Sequence, residues 1–148
     1  MGDNFIQNAV TVLGSSASPV TLTGSYSDDN SGLFKAAKGQ KISLFVYYTM
    51  GAAESSNSIQ VKVQTSPDRL AIDSALWGRR TREAVAAGTA TLSVEEYTFT
   101  ATQSAGTYDV IEIPLPNINT PYFKVSAKET GIASNGGSCY IKAVVSGR

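Results

Sequence analysis

Histidine is absent from the 148 residues, and cysteine occurs once, as Cys139. The first absence removes His-based triads, the commonest general base and every histidine metal site. The second excludes an intrachain disulfide and any thiolate zinc cluster. Charge is also sparse, at 16% of residues, where an ordinary domain carries about 25%. Neither sign is in excess: twelve Lys and Arg balance twelve Asp and Glu. Non-specific grip on nucleic acid or an anionic membrane needs a basic surplus, so neither is expected as a partner. No apolar run approaches the ~20 residues that span a bilayer as a helix. The start, Met1-Gly2-Asp3-Asn4-Phe5-Ile6, lacks the basic and apolar regions of a secretory signal. Ile6 also stands where a myristoylation motif needs Ser or Thr. No Asn-x-Ser/Thr sequon occurs. These absences lead us to expect synthesis and folding in a reducing cytosol.

What is present is a period of two. In Lys41–Thr49, Ile42, Leu44, Val46 and Tyr48 share one face, with Ser43, Phe45 and Tyr47 on the other. Ile59, Val61 and Val63 alternate with Gln60, Lys62 and Gln64. Phe123, Val125 and Ala127 alternate with Lys124, Ser126 and Lys128, which should face water. Cys139, Ile141, Ala143 and Val145 form a last stripe opposite Tyr140 and Lys142. Each segment reads as an antiparallel strand with one wet face. Shorter strands are predicted over Ala9–Leu13, Val20–Tyr26 and Thr107–Ile113, the last stopped by Pro114 and Pro116. Thr89–Ala101 changes phase at Glu95-Glu96, which predicts a bulge or bend. Asn135-Gly136 suits a tight turn with positive φ. Arg82–Ala87 is the one stretch with a helical pattern.

About eight or nine strands with polar turns between them predict an all-β chain. The expected form is one antiparallel β-sandwich over 1–148, jelly-roll or Ig-like, with residues 1–7 as an N-terminal arm.

Chemistry-bearing clusters are few. Asp28-Asp29-Asn30-Ser31-Gly32 concentrates oxygen ligands but fails the EF-hand spacing, so it reads as a solvated turn. Glu95 and Glu96 are neighbours on a strand and point to opposite faces, so they cannot converge as a catalytic pair. Glu54, Asp68, Asp109 and Glu112 are scattered. Gly136-Gly137 lacks the Lys and the following helix of a phosphate cradle. Cys139 alternates with core residues and has no histidine to activate it. No cofactor, metal or catalytic residue is therefore expected.

Contact residues are better represented. Arg79, Arg80 and Arg82 form the basic cluster, suited to a phosphate or a partner's carboxylates, or standing as a solvated loop or edge-strand guard. Trp77 reads as a core anchor or an interface anchor. Phe45 and Tyr47 lie opposite an apolar stripe, so they are exposed aromatic surface or part of a second buried layer. Interface candidates are thus Phe45, Tyr47, Trp77, Arg79 and Arg80. Low charge with abundant Ser, Thr and Gly fits a subunit packed into a larger assembly.

Two segments carry a resemblance. One is Leu44-Phe45-Val46-Tyr47-Tyr48-Thr49-Met50-Gly51-Ala52-Ala53-Glu54-Ser55. The other is Ile59–Asp68, with Trp77 after it. Together with Tyr122–Gly131 and the terminal Ile141–Gly147 strand, they resemble small structural proteins of tailed bacteriophages. Arg69–Ala87 departs from that pattern as an insertion. The resemblance implies a virion protein that decorates or cements the capsid, assembled in the host cytoplasm. It also implies contacts with the major capsid protein or other virion proteins and with its own copies. It supplies no catalytic residues. A second expectation is a carbohydrate- or receptor-binding module of a tail fibre or adhesin. Tyr47, Tyr97, Tyr108, Tyr122 and Tyr140 would stack sugars there, and calcium would sit at Asp28, Asp29 and Asn30.

Overall fold

A computed structural model describes residues 8–27, 34–35, 41–52, 54–71, 73–94, 96–100, 108–115 and 120–146. The Asp28–Gly32 loop and the 1–7 arm lie outside these residues. The described strands are β1 (Asn8–Leu13), β2 (Val20–Thr21), β3 (Phe34–Lys35), β4 (Lys41–Thr49), β5 (Ser58–Ser66) and β6 (Gly78–Arg79). They continue with β7 (Thr81–Ala86), β8 (Thr89–Val94), β9 (Glu96–Thr100), β10 (Tyr108–Leu115), β11 (Tyr122–Thr130) and β12 (Ser138–Ser146). No helix occurs among the described residues. The segments outnumber the eight or nine expected because several are two-residue pieces and one predicted strand divides.

The twelve described strands form three antiparallel sheets. Sheet A runs β1-β12-β4-β10, with β2 beside β12. Sheet B runs β3-β11-β5-β6, with β9 also on β5. The β7–β8 pair stands alone. The alternation of β4 and β5 is realised as read: Ile42, Leu44, Val46 and Tyr48 are buried, as are Ile59, Val61 and Val63. These join Phe123, Val125 and Ala127 from β11 and Cys139, Ile141 and Ala143 from β12 in one core shared by sheets A and B. A buried Leu, Ile or Phe of this kind contributes roughly 1.5–3 kcal/mol, which is why the polar phase of each strand is turned away from it.

Several expectations need correction. Arg82–Ala87 is not helical: it lies mostly within β7. Its Ala-rich composition suits a helix, but six residues cannot support nucleation. Ala87 and Gly88 both adopt positive φ, 52° and 79°. This is the pair of left-handed residues that closes a two-residue hairpin. Pro114 does not stop β10, which continues to Leu115 opposite Ile42. β10 is the edge strand of sheet A, and an edge strand can lose a donor on its open side. Lys124 and Ser126 do not face water. They are 4% and 1% exposed, because the Trp77 and Tyr26 rings lie over sheet B's outer side, against Lys124 and against Lys62 and Lys128. Finally, Gly136 is not among the residues with positive φ. Glycine is needed there for close approach: a Cβ on Gly136 would run into the Leu22 carbonyl, and one on Gly137 into the Tyr48 ring. The phase change near Glu95 has a larger cause than a bulge. β8 belongs to the separate hairpin and β9 to sheet B, so the chain changes sheets there.

Candidate functional site

At one end of the two sheets the core turns polar. Tyr48 ends the apolar stripe of β4, and Glu129 continues the inward stripe of β11. The Tyr48 hydroxyl donates to Glu129 Oε1 across the core, from sheet A to sheet B. Asn57 Nδ2 donates to the same oxygen at 2.8 Å, and the Gly137 N–H donates to Oε2 at 2.6 Å. Asn57 Nδ2 also reaches Glu54 Oε2 at 3.3 Å. Glu54 in turn accepts the backbone N–H groups of Ala133, Ser134 and Asn135 at 2.9, 2.6 and 2.7 Å. The β4–β5 connection is thereby tied to the β11–β12 connection, and both are tied to Tyr48. All three of Asn57, Glu129 and Tyr48 are 1% exposed or less.

This is a structural clasp in its chemistry. Both carboxylates face converging donors, so neither offers an oxygen to a substrate proton. The three backbone N–H groups hold Glu54 at a pKa of about 2. Burial, then the Glu129 hydrogen bond, raises the Tyr48 hydroxyl well above the ordinary phenol range. Cys139 lies close by; burial pushes its thiol up to about 12, the reverse of what a nucleophile needs. Among the described residues no three His, Cys, Asp or Glu side chains gather as a metal set. An open groove of about 530 Å³ runs past Leu22, Thr23, Gly131 and Ile132. Its walls are mainly backbone and aliphatic, and the one carboxylate behind them belongs to the clasp.

The surfaces are more distinctive. On sheet B's outer side the chain covers itself. The Tyr26 ring sits under Lys62 Nζ at 4.2 Å and Lys128 Nζ at 4.7 Å, and Lys124 Nζ lies 5.5 Å from the Trp77 ring. Tyr26 donates to Glu96, which also pairs with Arg79. Burial and Glu96 raise the Tyr26 phenol to about 12.

The β7–β8 hairpin is the opposite case. Cross-strand partners share a face, so Thr81/Val94, Glu83/Leu92 and Val85/Ala90 line one side. Val85, Leu92 and Val94 are 66%, 69% and 47% exposed, an apolar row projecting from the body.

Sheet A's outer face is covered by none of the described strands. Tyr140, Tyr47 and Val110 form one row across β12, β4 and β10, and Lys142, Phe45 and Glu112 form the next. Tyr47 and Tyr140 stack at 4.5 Å with an interplanar angle of 7°. Each ring therefore covers one side of the other and stands upright on the sheet, unlike a flat platform for a sugar.

The five predicted contact residues do not form one patch. Phe45 and Tyr47 lie on sheet A's outer face, half-buried. Trp77, Arg79 and Arg80 lie on the opposite side of the molecule, around β6. Trp77 is 5% exposed, and its indole N–H donates to the Ala71 carbonyl at 2.9 Å, so its ring is packed inside and is not presented to a partner. Arg79 is engaged by Glu96, and Arg80 is partly buried beside it. Sequence reasoning passes over Tyr48, Glu54, Asn57 and Glu129. The available signal is Glu129 at an inward position of its strand, facing a buried tyrosine that also needs a polar partner. The Val85–Leu92 row escapes it too, because the composition of β7 suggests a helix.

The chain matches no family model and no curated protein. One solved structure, from Bacillus endospore appendages described as disulfide-linked pili, is similar over 97% of this chain and 88% of its own. The identity is 10% and the TM-score 0.41. That likeness is too slight to carry an argument.

Proposed function

We propose that the chain is a non-enzymatic virion structural protein that decorates or cements a tailed-phage capsid through protein–protein contacts. The observation that carries this reading is the β7–β8 hairpin. Its apolar row is open to solvent and its composition is low in charge, as suits a segment seated against a neighbouring subunit. The strand order supports it. We infer a jelly roll in which β1-β12-β4-β10 faces β3-β11-β5-β9, with the hairpin inserted between β5 and β9. Two Greek keys give that order, and the architecture recurs in viral capsid domains. The insertion-like Arg69–Ala87 stretch, where the sequence departs from the phage pattern, leads into this hairpin and contains the whole of its first strand. Zero formal net charge favours protein partners over nucleic acid. Many weak contacts, repeated over a shell, hold such a protein without high affinity at any single site.

The test is co-sedimentation with expanded tailed-phage capsids assembled without the protein. Saturable binding is expected for the wild type. The double variant Val85→Asp, Leu92→Asp should bind at least about tenfold more weakly while keeping its melting temperature, because both side chains are exposed. Failure of the wild type to bind contradicts the reading. Equal binding by the variant removes the hairpin from it.

A further inference from the structure

The outer face of sheet A has a charge pattern that matches its own two-fold image. Phe45 sits on β4 with Lys142 opposite it on β12 and Glu112 opposite it on β10. The row therefore reads plus, aromatic, minus. Lay a second copy face down, with the two-fold axis running along β4. β12 of one copy then crosses over β10 of the other. Lys142 meets the second copy's Glu112, Glu112 meets its Lys142, and Phe45 meets Phe45. In the next row Tyr140 crosses Val110, and Tyr47 meets Tyr47. Turning the axis across the strands would instead set Lys142 on Lys142 and Glu112 on Glu112. The charges thus select one orientation. Lys41 also lies on this axis, but it is exposed at the start of β4, at the rim, where solvent screens it.

We infer that this chain pairs with a second copy of itself through the outer face of β12, β4 and β10, around a two-fold axis along β4. The face is apolar enough to be covered: Phe45, Tyr47, Tyr140 and Val144 are half-buried, and Val110 is 51% exposed. Three strands about 4.8 Å apart and about eight residues long make roughly 400 Å² of sheet per copy. Two copies cover on the order of 800–1,000 Å², the weak end of specific interfaces. The pair is therefore a concentration-dependent dimer, strengthened wherever copies are held close together. It does not depend on the capsid role, since the hairpin lies outside this face.

The experiment is sedimentation of the full chain from low micromolar to several hundred micromolar. A monomer–dimer equilibrium is expected. Glu112→Lys and Lys142→Glu each place like charges together twice per dimer and should weaken association by about tenfold or more. The double variant Glu112→Lys, Lys142→Glu restores opposite signs and should return the constant to within about threefold of wild type. Unchanged melting curves will show that the single variants fold. A chain that stays monomeric throughout overturns the inference. So do single variants that dimerise like wild type, or a double variant that fails to recover.

Discussion

Glu129→Ala is expected to lower the unfolding free energy by about 3–5 kcal/mol, since it leaves three buried donors unsatisfied at about 1–3 kcal/mol each. The substitution leaves the Tyr48 hydroxyl, one Asn57 N–H and the Gly137 N–H without their acceptor, all in a place water does not reach. It also cuts the hydrogen bond that joins sheet A to sheet B at this end. For a chain of this length the loss corresponds to a melting temperature lower by on the order of 10 °C. Urea unfolding at pH 7 measures it. Glu129→Gln keeps one acceptor oxygen but turns an amide N–H₂ toward donors, so it should fall between wild type and alanine. Tyr48→Phe combined with Glu129→Ala should cost clearly less than the sum of the two, since Tyr48→Phe removes the donor that Glu129→Ala leaves orphaned. A loss under about 1 kcal/mol for Glu129→Ala contradicts the clasp.

The second large effect concerns acid. Glu54 is held at about 2, below its ordinary value of 4.5, by the N–H groups of residues 133–135. A carboxylate with a depressed folded pKa binds protons more readily in the unfolded chain. Its contribution is therefore complete above about pH 4.5 and is lost as the pH falls through about 2. Glu54→Gln removes that contribution at every pH. At pH 7 the variant should melt several degrees below wild type. From pH 4.5 downward the two curves should converge, nearly meeting at pH 2. Parallel curves across that range would mean that Glu54 does not carry the linkage. The β11–β12 connection should loosen first, so amide exchange at Ser134 and Asn135 should accelerate before the core strands respond.

Much of the fold is legible in the sequence because the strongest strands obey one rule. In β4, and in β5 as far as Val63, every second residue is apolar and buried, since one face of each meets the shared core. The failures come from facts that no local window contains. Lys124 and Ser126 point outward by alternation, yet Tyr26 and Trp77 arrive from distant segments to cover them. Proline stops a central strand but not an edge strand, and strand order decides which of these β10 is. Arg82–Ala87 has helix-forming residues, but the positive φ at Ala87 and Gly88 and the partner strand Thr89–Val94 determine its state.

The site is legible only in part. Alternation alone places Phe45 and Tyr47 opposite the core stripe, and they sit on sheet A's outer face. Residue type groups Trp77, Arg79 and Arg80 with them, but exposure cannot be read from residue type, and the fold sets the two groups on opposite faces. Glu54 looks like a scattered carboxylate because its partners are backbone N–H groups, which have no signature in sequence. Glu129 does carry one, a charge at an inward position of β11.

The most direct test of the virion role is to count copies of the protein on intact particles purified by density, by quantitative mass spectrometry. Hundreds of copies per particle, retained on heads stripped of tails, are expected. Its absence from particles, or a handful of copies lost with the tails, would contradict a role on the shell.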